Sequence, residues 1–320
     1  MKRRAALSLL AGGLLGGCAA LTRPNRETEA QAYLFAYFVG NGADGLHLAA
    51  STDGYRWDAL RGGSSFVAPA VGKAKLMRDP CITRGPDGLY HMVWTSGWNE
   101  TGIGYASSPD LVQWSAQREL PVMAHEPDSL NAWAPEIVHD ARRGHYLILW
   151  SSTIPGRFPL TDGAGDGKYN HRIYATTTTD FVRFTPTALF YDPGFSVIDA
   201  TFVRALGRDW LLVKDETRHP PRKHLRVAAA GGLDGPFGAL GAPITPPGLW
   251  TEGPSALQAG DEVIVYYDAY TSGHYGALRS RDMLHWEDVS QRTRFPQRMR
   301  HGTAFAAPAS LVDRLRALAP

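Results

Sequence analysis

One phrase recurs five times along the 320 residues: small residues, often with a serine or threonine, then an aspartate, then an aromatic three or four positions later. The copies are AASTDGYRW (49–57), YASSPDLVQW (105–114), YATTTTDFVRF (174–184), AAAGGLDGPF (228–237) and ALRSRDMLHW (277–286). Their aspartates, Asp53, Asp110, Asp180, Asp234 and Asp282, stand 48 to 70 residues apart. A period of this size restricts the chain to stacked supersecondary units, and four short strands per unit make a propeller blade. Within each copy the aspartate is expected to open a turn by accepting backbone hydrogen bonds, and the aromatic to pack between neighbouring sheets. The composition agrees: 34 glycines and 22 prolines with 9 Trp, 13 Tyr and 12 Phe favour many short strands joined by turns.

Upstream of each copy lies a β-branched or aromatic run, YLFAYFV (33–39), LYHMVW (89–94), HYLILW (145–150), DWLLVK (209–214) and EVIVYY (262–267), which reads as a second strand. Upstream again come the innermost strands: RDPCITR (78–84), WAPEIVHD (133–140), IDATFVRA (198–205), TEGPSALQ (251–258) and HGTAFAAP (301–308). The first phrase has no inner strand before it and the last inner strand has no phrase after it. They complete each other, so pairing residues 33 to about 60 with the C-terminal strand closes a ring of five blades over 33–310 and removes the open edge. Residues 311–320 are left as a tail. The connection 152–172, glycine-rich and polar, is expected to loop over one mouth of the ring.

The N-terminus reads as a processing signal. Lys2, Arg3 and Arg4 precede an apolar segment, Ala5 to Leu15, and Leu15-Gly16-Gly17-Cys18 ends it like a bacterial lipobox. That pattern implies cleavage before Cys18, lipid attachment to its thiol, and an exported lipoprotein that touches a membrane only through its anchor. Residues 18–32 then form a polar linker. Loss of residues 1–17 removes three positive side chains from a formal charge of +2, and the near-neutral remainder gives no electrostatic basis for binding nucleic acid. Cys81 is the only other cysteine, so a lipidated Cys18 leaves no internal disulfide.

Aligned at their starts, the inner strands place Asp79, Ala134, Asp199, Glu252 and His301 at one equivalent position, where strand starts converge on one mouth of the axial channel. Asp79 alone could be a turn former, Asp199 a cap, and Glu252 a solvated loop charge. Three carboxylates together repel and desolvate one another unless their pKa values are driven apart, as glycoside hydrolysis requires of its acid and base. Pro80 is expected to hold Asp79 extended.

The ordered set RDPCI, IDATF, TEGPSA and RHGTAF resembles glycoside hydrolase family 43, the five-bladed propeller arabinofuranosidases and xylosidases. The likeness covers roughly residues 33 to 310. It implies an inverting hydrolase in which Asp79 is the general base, Glu252 the general acid and Asp199 the residue that tunes and orients the acid. The implied substrate is a carbohydrate bearing arabinofuranosyl or xylosyl units, with galactofuranosyl a further option. No cofactor is required, but the resemblance implies that His301 can help to hold a hydrated calcium ion near the axis. Invertase-like propellers share an RDP motif, yet need an N-terminal Asn-Asp-Pro that this chain lacks.

Around these positions, Trp98, Trp133 and Trp250 are candidate platforms for a sugar ring, and Arg78 and Arg300 candidate contacts to its hydroxyls. Lys214, Asp215 and Glu216 are weaker candidates of the same kind. Cys81 reads as a space-filler. A second class of function stays open, a non-catalytic propeller that binds carbohydrate or a surface partner, because fold does not fix function.

Overall fold

The repeated phrase is a turn, and its chemistry is the same in four of five copies. In the computed structural model, which describes residues 31–320, Ser51 Oγ accepts the N–H groups of Asp53 and Gly54, and Asp53 Oδ1 accepts those of Tyr55 and Arg56. Ser108 with Asp110, Thr178 with Asp180, and Ser280 with Asp282 repeat this pattern. The copy in 228–237 has no hydroxyl, and its Asp234 instead accepts from Arg143 at 2.5 Å. The residue after the aspartate is left-handed in all five, Gly54, Leu111, Phe181, Gly235 and Met283, with φ between 56° and 86°.

These turns end the third strand of each blade. Strands β1 (Gln31–Val39), β2 (His47–Ser51) and β3 (Asp58–Ala59) come first. Blade one is β4 (Arg78–Arg84), β5 (Tyr90–Thr95), β6 (Ile103–Ser108) and β7 (Arg118–Leu120). Blade two is β8 (Trp133–Asp140), β9 (His145–Ser152), β10 (Arg172–Thr178) and β11 (Ala188–Tyr191). Blade three has three strands, β12 (Val197–Ala205), β13 (Arg208–Asp215) and β14 (His224–Ala230), and blade four has β15 (Glu252–Ala259), β16 (Glu262–Ala269), β17 (His274–Ser280) and β18 (Glu287–Asp288). Then β19 (Met299–Pro308) returns to pair antiparallel with β1 from Pro308 opposite Gln31 to Met299 opposite Val39. The fifth blade is therefore β19-β1-β2-β3, and the five sheets form the expected five-bladed propeller.

The core is five clusters, one between each pair of neighbouring blades. Second strands face two clusters at once, which is why they are apolar throughout rather than alternating. In β5, Met92 and Trp94 turn toward blade five while Val93 turns toward blade two. Leu211 and Leu212 of β13, and Ile264 and Val265 of β16, divide in the same way.

Residues 311–320, expected as a tail, belong in part to a helix: α1 (Ala309–Arg316) follows β19 directly. Its Leu311, Val312 and Leu315 are buried against Leu34, Leu48 and Met92 at the seam between blades five and one. The signal segment, Cys18 and most of the linker lie outside the described residues. Truncating Leu315, which is 1% exposed, is expected to cost about 2–5 kcal/mol. Urea unfolding of Leu315→Ala against the parent chain checks this, and an unchanged midpoint would refute the docked helix.

Candidate active site

Four inner strands begin with the same distortion. Arg78 pairs with Thr95 and Cys81 with Val93, so Asp79 and Pro80 together face one residue across the ladder. Ala134-Pro135, Asp199-Ala200 and Gly253-Pro254 bulge identically. The first residue of each bulge is left-handed: φ is 52° at Asp79, 46° at Ala134, 54° at Asp199 and 56° at Gly253. Such bulges bend a strand and re-aim its side chains. In β19 the ladder skips His301 alone.

This corrects two expectations. Asp79 is not held extended by Pro80, because the bulge requires a positive φ, which aspartate tolerates better than most residues. And Glu252 is not equivalent to Asp79 and Asp199. Gly253 holds that place, while Glu252 is one residue earlier, in register with Arg78, Trp133 and Ile198. Glycine is needed there because a Cβ would lie 2.1 Å from the His301 side chain.

The three carboxylates nevertheless share one pocket of about 250 Å³, with Arg78, Trp98, Trp133 and His301 in its walls. Asp79 Oδ2 accepts the Thr95 hydroxyl at 2.6 Å, whereas Oδ1 is buried without a hydrogen-bond partner. His301 Nε2 is 3.2 Å from that Oδ1, though not aligned to donate to it, and 3.6 Å from Glu252 Oε1. The nearest oxygens of Asp79 and Glu252 therefore cannot be further apart than those two contacts laid end to end. Asp199 Oδ2 accepts the N–H of Gly253 at 2.8 Å, which ties it to the bulge beside Glu252.

Charge balance at the site departs from the picture of three uncompensated acids. Glu252 Oε2 lies 3.1 Å from Lys214 Nζ, and Oε1 accepts from Arg300 at 2.9 Å. Lys214 is 2.7 Å from Glu216, Glu216 is 2.7 Å from Lys223, and Lys223 pairs with Asp166, which also meets Arg218 at 3.3 Å. A chain of alternating charge, buried at Lys214, Glu216 and Lys223 and half-exposed at Asp166, thus runs from Glu252 to the connection over the mouth.

Burial, the largest effect on Glu252, would raise its pKa, but Lys214, His301 and Arg300 together outweigh it and hold the carboxyl well below its usual range. Asp199 moves the opposite way: burial pushes it up, Glu252 and Asp79 add to the rise, and His301 and Lys214 only partly offset it. Asp199, not Glu252, takes up a proton first as pH falls in this arrangement. That reverses the order implied by an acid already poised at Glu252.

Other expected residues divide. Arg78 is buried, donates to Asn41 at 2.9 Å and lies over the Trp98 ring at 4.2 Å. Trp98 and Trp133 meet edge to face at 5.6 Å on the pocket wall. Arg300 does not line the pocket, because its guanidinium is engaged by Asp268 at 2.5 Å and by Glu252. Trp250 faces an adjoining groove with Pro246 and Trp286, beneath Arg218 at 4.4 Å. Lys214 and Glu216 line the pocket and Asp215 does not. Cys81 is buried, and burial and the Glu136 charge push its thiol far up, so it is no nucleophile.

Glu252, Asp268 and His301 could present ligand atoms within 4.8 Å of one another. The group fits calcium poorly, since the carboxylate oxygens that a hard cation would take already bind Arg300 and Lys214.

Sequence reasoning missed Asp166, Tyr169 and His171, which the connection between β9 and β10 brings to the mouth. Its unusual length pointed to that segment but not to those residues. Thr95 and Lys223 had no sequence signal.

A family model described as "Probable glycosyl hydrolase domain", of the group related to glycoside hydrolase family 43, matches residues 28–310. An alpha-L-arabinofuranosidase of Bifidobacterium longum subsp. longum is 26% identical over 164 residues, which are 44% of this chain and 15% of that enzyme's length. Among solved structures, an alpha-L-arabinofuranosidase from Lactobacillus brevis superposes with a TM-score of 0.52 at 19% identity, over 67% of this chain and 72% of the other. An endo-arabinase from Bacteroides thetaiotaomicron gives 0.52 at 17% identity, over 71% and 84%.

Because Asp199 is protonated more readily folded than unfolded, the folded chain binds more protons between the ordinary carboxylate range and its raised value. Stability contributed by this group therefore falls as pH rises through that interval. Asp199→Asn removes the loss, so its melting temperature should rise relative to the parent as pH is taken from about 4 to about 8. Calorimetric scans showing a pH-independent difference would contradict this assignment.

Proposed function

The chain belongs to the domains related to glycoside hydrolase family 43, and from that premise we propose that it is an inverting glycosidase releasing single arabinofuranosyl or xylosyl units, with galactofuranosyl a further candidate. Asp79 serves as general base, Glu252 as general acid, and Asp199 as the group that tunes the acid. The observation that carries the reading is Asp79 Oδ1, buried at the pocket wall without a hydrogen-bond partner while Thr95 fixes the other oxygen. A water donating to Oδ1 is aimed by it and gives up a proton to it while its oxygen attacks the anomeric carbon. The glycosidic bond breaks on the opposite face, and its oxygen takes the proton of Glu252.

For that last transfer Glu252 must be protonated, which its cations oppose in the empty pocket. Lys214 has a second carboxylate in Glu216 at 2.7 Å, so it remains paired when Glu252 is neutral. While Asp199 is ionised, repulsion between the two carboxylates favours a proton on Glu252. A pocket of about 250 Å³ has room for a sugar ring. The limit on the Asp79–Glu252 separation falls at the lower edge of the roughly 6.5–9.5 Å typical of inversion. Retention uses about 5–5.5 Å, so the anomer formed is the critical measurement.

Chromogenic arabinofuranosides, xylosides and galactofuranosides, with the released anomer followed by NMR, test substrate and stereochemistry together. Asp79→Asn and Glu252→Gln should each lower kcat by about 10²–10⁴-fold while sugar binding changes little. Unchanged turnover in either variant, or retained configuration, defeats the mechanism. Sugar binding without turnover in the parent chain would instead favour the non-catalytic propeller.

We also propose that the chain is exported and held at a membrane by lipid on Cys18, a reading supported by the sequence Leu15-Gly16-Gly17-Cys18 after a basic start. Cys18→Ala should move the protein from the membrane to the soluble fraction of expressing bacteria. A membrane-bound Cys18→Ala protein would contradict the anchor.

A further inference from the structure

His171 ends the connection over the mouth, one residue before β10, and is 1% exposed. Neither ring nitrogen has a hydrogen-bond partner, although the side chain lines the carboxylate pocket. Buried polar atoms are rarely left unpaired, because losing water without replacement is costly.

Two aromatic rings, themselves 4.7 Å apart, pack against the imidazole. Tyr169 stacks on it at 5.1 Å and 13°, and Trp133 packs at 5.0 Å. Its main chain is fixed as well: the N–H donates to Ser196 Oγ at 3.1 Å, and the carbonyl accepts from Val197 at 3.2 Å and Arg172 at 2.9 Å. The residue is thus held in the pocket wall with both ring nitrogens buried and without a hydrogen-bond partner in the protein.

Its charge state narrows what can pair with it. Burial first, then Lys214, Lys223 and Arg172, hold its pKa down at about 3, so the ring is neutral and offers one donor and one acceptor. The same three cations disfavour a metal ion beside it. Asp166, Glu216, Asp199 and Glu252 on the pocket wall disfavour an anionic ligand. A hydroxyl group, which both donates and accepts, suits it without charge.

We propose that His171 is a specificity-determining residue that hydrogen-bonds one ring hydroxyl of a neutral sugar. Trp133 and Tyr169 hold the imidazole in the orientation that reads it. The inference rests on the carbohydrate part of the proposed function and does not depend on hydrolysis.

The test is calorimetric titration of the parent chain, His171→Phe and His171→Gln with arabinose, xylose and galactose, then with each monodeoxy form of the sugar that binds best. His171→Phe keeps the ring stacking and should weaken binding about 10-fold, the worth of one ordinary hydrogen bond. For one deoxy sugar, parent and variant should bind alike, and His171→Gln should recover part of the loss. The melting temperature of His171→Phe without sugar should equal or exceed that of the parent, since an unpaired polar group is gone. Equal affinity of parent and His171→Phe, a loss shared by every deoxy sugar, a lower melting temperature, or no sugar binding by the parent overturns the inference. Binding that depends on His171 without glycoside turnover leaves the inference standing and sinks the hydrolase. Turnover in which His171→Phe binds sugar like the parent does the reverse.

Discussion

Second strands that are apolar on both faces govern this molecule. A strand such as β5 or β16 cannot rest against a single layer, because Val93 and Val265 need a neighbour on the side opposite Met92 and Ile264. Each blade must therefore be flanked by two others, and a row satisfies every member only when it closes. The chain closes it by lending β19 to β1, with α1 as a plug over the seam. Once the ring is shut, inner strands from distant parts of the sequence meet at one mouth, and a shared pocket follows from the packing.

Much of this was legible because the aspartate turns are local chemistry. A hydroxyl and a carboxylate two residues apart cap the same backbone groups wherever they occur, so the phrase marks the end of each third strand even without tertiary information. The inner strands were legible as positions but not as geometry. RDP, APE, IDA and EGP align easily by acid or proline, yet the bulge registers Gly253 with Asp79, and only backbone φ values reveal it. Asp79, Asp199 and Glu252 were found because carboxylates at strand starts are unusual. His171 and Asp166 sit in an irregular segment, where neither period nor motif says which side chains face inward.

The ion pairs were less legible than the cations themselves. Lys214 could be named as a candidate contact to a sugar, but neither it, inside an apolar strand, nor Lys223, in the connection after it, carries any mark that it will be buried beside a carboxylate. Their presence changes the electrostatics from mutual repulsion to an alternating chain that reaches from Glu252 to Asp166. Removing one member of such a chain leaves its partner charged and dry, which costs more than the pair itself contributes. The ionisation of Glu252 and the placement of the mouth connection are on this account one electrostatic system.

The pairing of β19 with β1 has a consequence for how the protein comes into being. β1 precedes every other described strand of the domain, yet one of its edges has no partner until β19, the last, has been synthesised. Contacts this distant in sequence make folding slow. Until β19 is in place, that edge of β1 is open to pairing with other chains.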